Sequence, residues 1–361
     1  MREGEDILAS ARVMVVGCGA LGNEVLKNLA LCGVGHLVCV DFDKVEKGNL
    51  TRSVLFRETD AESGRFKVDV VKERLLELRP GIDVSVVNGD IACDVGLGLI
   101  GDMDVLVACV DNRWARFMIN RHCIRMNRPW VDGGIALSEG TVRVFEPGRN
   151  CYACSLGPDG LNELGRRVSC ANVIRNAMKN VSAATTSISA SIAGAVQAGE
   201  VLKLLAGGSV LVDRMFYFDT DVPEAGVALF GAYDEDCPEH EAWGAVESSS
   251  LGLDSTVEDL QGLSGDRVEL HLRDDCFVDY VVDRDTGKRH VVMAPGRKVA
   301  EAVKEALHKN DMELSGFYQN EYRCIGGDFP YRHLTLGELG IPRDDVLRLS
   351  YGGRMHFVRM R

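Results

Sequence analysis

The chain has 361 residues and a formal net charge of −13, and 46% of its residues are hydrophobic and 26% charged. These fractions are ordinary for a globular protein, and the length predicts two or three domains with a substantial core. The excess of acidic residues argues against a nucleic-acid-binding protein and against binding to an anionic membrane surface.

The N-terminus and the cysteines indicate the cellular compartment. The first ten residues are acidic and lack the apolar core of a signal peptide. Twelve cysteines, several of them inside apolar runs, indicate reduced thiols. The longest weakly polar stretch, 181–207, contains Gln197, Glu200 and Lys203, so we interpret it as a buried helix rather than a membrane span. We therefore expect a cytoplasmic protein.

A phosphate-binding pattern lies near the start of the chain. An apolar run at 13–16 predicts a buried strand, residues 20–31 predict a helix, and a second apolar run at 37–40 ends on Asp41. The glycines of a G-x-G-x-x-G motif join the first strand to the helix: Gly17, Gly19 and Gly22. This order is typical of a dinucleotide-binding βαβ unit, in which backbone N–H groups approach a phosphate at the helix N-terminus. Asp41 is placed to accept hydrogen bonds from ribose hydroxyls.

Strands and helices continue to alternate after this unit. Strands are predicted at 84–87 and 105–110, helices at 67–78 and 112–126, and further strands within 130–144. This alternation predicts an α/β fold, a Rossmann-like domain whose mostly parallel sheet is covered on both faces.

The middle of the chain is less regular. Residues 156–183 are polar and predict an irregular loop that crosses an active site, and residues 190–205 predict a helix rich in small residues. We expect the nucleotide-binding domain to span residues 1–243. Three consecutive serines and scattered acids then predict a linker at 244–265.

Residues 266–361 are predicted to form a separate, small α+β domain. Strand candidates at 268–272, 277–282 and 290–293 precede an amphipathic helix at 297–309, and two more strand candidates end the chain. Strands, one helix and then strands is the order of a β-grasp, the fold of ubiquitin. An unrelated α+β cap is the alternative.

The polar residues that follow Asp41 indicate which nucleotide binds. An NAD enzyme needs only the first acid, whereas this chain continues with Asp43, Asn49 and Arg52. That set favours a site for the concentrated phosphate charge of ATP. Lys67, at the start of a predicted helix, and Asp111, at the end of a predicted strand, complete the set.

Together these residues resemble the ubiquitin-activating enzyme superfamily, which includes the bacterial ThiF, MoeB and HesA proteins. The shared pattern is a glycine loop, D-x-D, N-L-x-R-Q, a lysine, and an aspartate before a polar residue. The resemblance covers about residues 11–240, and Ser53 stands where the family usually has glutamine. It implies an adenylation domain that binds MgATP, with Asp111 holding Mg²⁺.

The resemblance also implies roles for the remaining polar residues. Arg52 and Lys67 would neutralise charge on the transferring phosphate, and Asn49 would position a phosphate or ribose oxygen. Each has a structural alternative. Asp111 could cap the following helix, Arg52 and Lys67 could be solvated surface charges, and Asn49 could cap a turn.

Two ligand pairs with two-residue spacers predict a structural zinc site, in which four protein ligands leave no open position. The first pair is Cys151 and Cys154, and the second is Cys237 and His240. The alternative is reduced thiols or a labile disulfide. Four other histidines have no cysteine or histidine at ligand spacing and are interpreted as structural: His36, His122, His271 and His333.

Cys170 is the candidate nucleophile. It lies in a Ser-Cys-Ala motif near Arg166, Arg167 and Arg175, and nearby cations lower the pKa of a thiol and raise its thiolate fraction. The resemblance implies that a cysteine here receives the activated carboxylate as a thioester. An inert cysteine is the alternative, because several relatives stop at the adenylate.

The expected function is activation of a ubiquitin-like protein by a homodimer. The partner's C-terminal carboxylate would be adenylated by ATP, transferred to Cys170 and handed to a conjugating enzyme held by the C-terminal domain. Three alternatives remain: adenylation of a sulfur-carrier protein, an NAD-dependent oxidoreductase, and a catalytically silent scaffold.

Overall fold

The computed structural model describes residues 2–167, 185–265, 267–307 and 317–361. These residues form two compact units. The first contains the described residues up to Ala242, except residues 96–98 and 162–167, which group with the second. The second continues from Trp243 to Arg361.

An eight-stranded sheet in the order β3-β2-β1-β4-β5-β6-β7-β8 is the centre of the first unit. Its strands are β1 (Arg12–Val16), β2 (His36–Val40), β3 (Asp83–Val87), β4 (Val105–Ala108), β5 (Trp130–Ala136), β6 (Glu139–Phe145), β7 (Arg214–Asp219) and β8 (Glu224–Leu229). The five strands from β3 to β5 pair in parallel, and β5 to β8 pair antiparallel. The α/β, Rossmann-like prediction is confirmed.

The described helices of the chain include several that the pattern did not predict. They are α1 (Arg2–Ser10), α2 (Ala20–Cys32), α3 (Glu58–Glu62), α4 (Lys67–Leu78), α5 (Leu97–Gly101), α6 (Arg113–Arg125), α7 (Tyr152–Arg167), α8 (Ser187–Leu205), α9 (Val257–Gln261) and α10 (Val299–Leu307). Short 3₁₀ turns lie at Lys47–Asn49 and Gly296–Lys298. Every strand and helix predicted before residue 127 is present, with bounds that differ by at most two residues.

The sheet is buried because its central strands are apolar on both faces. All residues of β4, and all but the first of β1 and β2, are buried. Apolar residues of α2, among them Leu26 and Leu29, join the same core cluster. The core therefore fixes the strand ends from which the polar loops of the site project.

Helix α8 is the one described helix that is long and apolar enough to cross a membrane by length and composition. In this structure it packs against α2 and the sheet, and its buried face includes Gln197 and Glu200. It is a core helix of the first unit, as its polar residues indicated.

The predicted irregular loop at 156–183 is wrong for its first part. Helix α7 extends through these residues to Arg167, with a break at Gly157, whose φ is +64°. Gly157, Pro158 and Gly160 hide the helical pattern in the sequence. Residues 168–184, which include Cys170, lie outside the described residues.

The segment predicted as a linker is part of the second unit. Residues 244–265 contain β9 (Val246–Ser248) and α9, and the side chains of Leu251, Val257 and Leu260 are buried in the core of that unit. Thr256 caps α9 by accepting a hydrogen bond from the Asp259 N–H. The three consecutive serines predicted a linker, but the apolar residues that follow them pack into the core of the second unit.

Two sheets form the rest of the second unit. Its strands after β9 are β10 (Glu269–His271), β11 (Phe277–Asp283), β12 (Arg289–Pro295), β13 (Phe317–Tyr322), β14 (Cys324–Ile325), β15 (Val346–Tyr351) and β16 (Arg354–Arg359). One sheet has the order β14-β10-β15-β16-β9 and the other β12-β11-β13. The hairpin, helix and strand that suggested a β-grasp are present, but the described strands form two sheets rather than one.

Candidate functional site

The glycine loop lies at the carboxyl ends of β1 and β4, where the strand order of the sheet reverses. Gly17 has a φ of +91°, and a Cβ there would overlap the Cys109 carbonyl after β4. A Cβ on Gly22 would overlap the Gly17 carbonyl, whereas a Cβ on Gly19 would meet no atom within 4 Å. Gly17 and Gly22 therefore hold the loop in its tight form, and Gly19 opens a space beside the N-terminus of α2. In open α/β sheets, ligands bind in the crevice just beyond the carboxyl ends of the strands, at the point where the strand order reverses.

Asp41 fastens the glycine loop to the end of β2. Its Oδ2 accepts a hydrogen bond from the Cys18 N–H at 2.7 Å, and its Oδ1 accepts one from the Asp43 N–H at 2.8 Å. Burial raises the pKa of Asp41, although the charge of Lys67 and these two N–H groups act in the opposite direction. The carboxylate thus shapes the loop in addition to facing the predicted ribose position.

Lys67 is a buried cation between two acids. Its Nζ lies 2.7 Å from Asp43 Oδ2, and its backbone N–H donates to the Asp43 carbonyl at 2.9 Å. Burial by itself would lower the pKa of Lys67, but the charges of Asp41 and Asp43 outweigh it and the pKa is raised. Lys67 is only 8% exposed, so the alternative of a solvated surface charge is excluded.

The loop after β2 carries Asn49, Arg52 and Ser53. The Asn49 Oδ1 accepts a hydrogen bond from the Glu46 N–H at 2.9 Å, so this oxygen caps the turn as the structural alternative required. The Arg52 guanidinium is half-buried and has no ion pair or side-chain hydrogen bond among the described residues. Ser53 is buried, and its hydroxyl has no hydrogen-bond partner among those residues. Arg52 is therefore a charge available to a ligand.

Asp111 follows β4 and remains exposed. The cap of α6 is its neighbour Asn112, whose Oδ1 accepts a hydrogen bond from the Ala115 N–H at 2.8 Å. The only hydrogen-bond partner of the Asp111 carboxylate within the described chain is the Asn112 side-chain amide, at 3.3 Å. The capping alternative for Asp111 is thus wrong, and its carboxylate is accessible for a cation.

A buried charge cluster beside this edge was not predicted. Asp132 on β5 is fully buried and pairs with Arg116 Nε at 2.8 Å and with Arg143. Burial alone would raise the pKa of Asp132, but the two guanidinium groups outweigh it and hold the pKa below its usual value. No local signal in the sequence marked it, because Arg116 comes from α6 and Arg143 from β6.

The four predicted zinc ligands come together in the first unit. The distances are 3.6 Å from Cys154 Sγ to Cys151 Sγ, 3.9 Å from Cys151 Sγ to Cys237 Sγ, and 3.2 Å from Cys154 Sγ to His240 Nε2. All four donor atoms lie within 4.8 Å of one another. Tetrahedral zinc with bonds of about 2.3 Å would separate its sulfur ligands by about 3.8 Å, so the donor set fits the ion. No disulfide joins these or the other described cysteines.

Comparison with known proteins gives the family. The ThiF family model matches residues 1–238, which is more than half of the chain. The chain belongs to the ThiF family. The resemblance inferred from the glycine loop, the paired acids and Lys67 is confirmed, and the match ends before Trp243, from which the second unit runs to the last residue.

Relatives of this ThiF-family protein carry different activities. Molybdopterin-synthase adenylyltransferase of Escherichia coli (strain K12) is 32% identical over 207 residues, which cover 57% of this chain and 77% of the relative. Adenylyltransferase and sulfurtransferase MOCS3 of Mus musculus is 34% identical over 214 residues, covering 59% and 44%. Ubiquitin-like modifier-activating enzyme 5 of Caenorhabditis elegans is 33% identical over 156 residues, covering 39% and 36%.

Solved structures with the same fold include ligand complexes. The crystal structure of E. coli MccB with ATP is 25% identical and has a TM-score of 0.53, covering 66% of this chain and 69% of MccB. MccB with AMPCPP and MccA has a TM-score of 0.54 over the same shares. The fold of this ThiF-family chain is therefore one that is known to hold ATP in another protein.

Two matched substitutions test the geometry of the glycine loop. Gly22→Ala should destabilise the protein by about 1–3 kcal/mol, because its methyl group overlaps the Gly17 carbonyl. Gly19→Ala should leave unfolding close to wild type, because nothing lies within 4 Å of its Cβ. Thermal unfolding of both variants checks this, and equal melting temperatures for the two would contradict the loop geometry.

Proposed function

We propose that this ThiF-family protein uses MgATP to adenylate the C-terminal carboxylate of a small carrier protein. One observation supports the proposal: buried Lys67 pairs with Asp43 after β2, and exposed Asp111 follows β4, so both lie at the strand ends that carry the glycine loop. Arg52, in the loop after β2, adds a cation with no ion pair among the described residues. In the reaction, a carboxylate oxygen of the carrier attacks the α-phosphorus of ATP. The bond from that phosphorus to the bridging oxygen breaks, and pyrophosphate leaves.

Each residue has a separate task in this proposal. N–H groups of the glycine loop and of the first turn of α2 donate to phosphate oxygens. Lys67 and Arg52 offset charge that accumulates on the phosphates in the transition state. Asp111 would hold Mg²⁺, which neutralises phosphate charge when bound. Asp41 keeps the loop in place and accepts hydrogen bonds from ribose.

The oxidoreductase alternative is disfavoured by the second acid and its ion pair. A hydride-transferring enzyme has no need of a buried lysine paired with Asp43 beside the phosphate loop. The silent-scaffold alternative is disfavoured because Arg52, Lys67 and Asp111 are all retained. Adenylation uses all three.

ATP–pyrophosphate exchange tests the proposal. With carrier proteins of the sulfur-carrier and ubiquitin-like kinds as substrates, the wild type should exchange label between pyrophosphate and ATP. Asp111→Asn should reduce exchange by about 10²-fold or more, the scale of losing a charge stabiliser. Asp83→Asn is the matched control, because Asp83 is exposed, begins β3 at the end away from the glycine loop, and has His36 as its one ion-pair partner among the described residues. Equal exchange by the two variants would refute the role of Asp111.

The identity of the carrier separates two versions of the function. The adenylyltransferases of E. coli and mouse support a sulfur carrier, and the modifier-activating enzyme of C. elegans supports a ubiquitin-like protein. For the second version we propose that Cys170 takes the acyl group from the adenylate as a thioester and releases AMP. A conjugating enzyme docked on the second unit would then receive the acyl group, and the enzyme would act as a homodimer.

A cysteine substitution distinguishes the two versions. Cys170→Ala should leave adenylate formation nearly intact, because the thiol acts only after ATP is cleaved, and should abolish a reducible adduct with the carrier. Exchange assays and non-reducing gels are run on the same preparations, with Cys32→Ala as control because Cys32 is an exposed thiol outside the proposed site. An adduct that survives in Cys170→Ala would identify another nucleophile. No adduct in the wild type would favour the sulfur-carrier version.

We also propose that Cys151, Cys154, Cys237 and His240 hold one structural zinc. The ion would join two segments that are far apart in sequence, so its loss should lower the melting temperature. Elemental analysis should show one zinc less in Cys237→Ser than in Cys93→Ser, a control cysteine outside the cluster. Equal zinc content and equal stability of the two variants would refute the site.

A further inference from the structure

A second group of metal-binding side chains lies on a sheet of the second unit. Glu269 and His271 are two residues apart on β10, so they project from the same face. Cys324 on β14 is directly opposite His271 in the antiparallel register. A carboxylate oxygen, a ring nitrogen and the sulfur of these three residues lie within 4.8 Å of one another. None of the three belongs to the proposed adenylation or structural zinc site.

The three side chains do not satisfy one another. The Cys324 thiol lies 4.0 Å from Glu269 Oε2, at the outer limit of a sulfur hydrogen bond. Arg267 approaches Glu269 only to 3.8 Å and makes its shorter contact, 2.8 Å, with Asp328. The Glu269 carboxylate therefore has only a long ion pair, with Arg267 at 3.8 Å, among the described residues, and it stands next to a thiol and an imidazole.

The imidazole of His271 is held by a neighbouring strand. Its Nε2 lies 2.9 Å from the Ser350 hydroxyl on β15, which fixes the ring. Metal-binding histidines commonly use one ring nitrogen for such an orienting contact and the other for the metal. Nδ1 makes no hydrogen bond within the described chain, so one ring nitrogen is not engaged by the protein there.

We propose that Glu269, His271 and Cys324 bind a divalent transition-metal ion of the zinc type. A thiolate and an imidazole favour such ions over Mg²⁺ and Ca²⁺, which prefer oxygen ligands. Binding would form a metal–sulfur bond and release the thiol proton to solvent. Three protein ligands leave the fourth position open to water, as in catalytic rather than structural zinc sites. Sequence spacing alone does not suggest this site, because Cys324 is far from His271 along the chain and only the strand pairing brings them together.

Protection of a cysteine from alkylation tests the proposal. Cys324 and Cys32 are both exposed, so each should react with N-ethylmaleimide, and mass spectrometry of peptides follows both in one sample. Micromolar Zn²⁺ should slow the reaction of Cys324 by about tenfold or more, because a metal-bound thiolate is a poor nucleophile. Cys32, which belongs to no group of metal-binding side chains among the described residues, should react at an unchanged rate, and Mg²⁺ should protect neither.

Variants test whether the protection of Cys324 arises from metal binding at this site. His271→Ala and Glu269→Gln should each remove the protection of Cys324, whereas His333→Ala, an exposed histidine of the same unit, should keep it. Protection should persist in Cys237→Ser, because that cysteine belongs to the other cluster. Equal alkylation of Cys324 with and without Zn²⁺, or protection that survives His271→Ala, would overturn the proposal.

Discussion

The ion pair of buried Lys67 with exposed Asp43 is the interaction on which the nucleotide edge depends. The two residues make two contacts: Lys67 Nζ lies 2.7 Å from Asp43 Oδ2, and the Lys67 N–H donates to the Asp43 carbonyl at 2.9 Å. These contacts fix the start of α4 to the end of β2. Asp41 ties the same strand end to the glycine loop. One network therefore sets the positions of the loop, the acids and the cation. The pKa of Lys67 is raised and Asp43 holds its Nζ, so the lysine is charged and oriented before a nucleotide binds. An incoming phosphate would compete with Asp43 for this cation.

The charge of this edge indicates why a metal ion belongs to the proposed reaction. The cations Lys67 and Arg52 lie among the acids Asp41, Asp43 and Asp111, so protein carboxylates already offset part of the positive charge that phosphates would meet. A Mg²⁺ ion held by Asp111 would add positive charge there. The proposed zinc site lies elsewhere in the first unit, where an ion would connect the start of α7 to the residues after β8.

Much of the first unit could be predicted, because its signals are local in sequence. Apolar runs, the glycine motif and the acid after β2 lie within about thirty residues, and the parallel sheet then brings their ends together. The Cys151 and Cys237 pairs were predicted from their spacing and do meet. The Asp132 cluster could not be predicted, since its arginines come from a helix and a strand that only the fold brings together. Likewise, His271 and Cys324 become neighbours only through strand register. Helix α7 and the packed residues of 244–265 were missed because glycine, proline and serine masked their apolar positions.

Calorimetric titration of nucleotides is the most direct test of the phosphate network. Wild-type protein titrated with MgATP should bind it, and Lys67→Met should weaken binding by about tenfold or more, since a charge-assisted contact to phosphate is worth about 1.5–3 kcal/mol. Lys72→Met, on the same helix, is the matched control and should bind as the wild type does. Tight binding of NADH without binding of MgATP, or equal MgATP affinity in Lys67→Met and the wild type, would contradict the account.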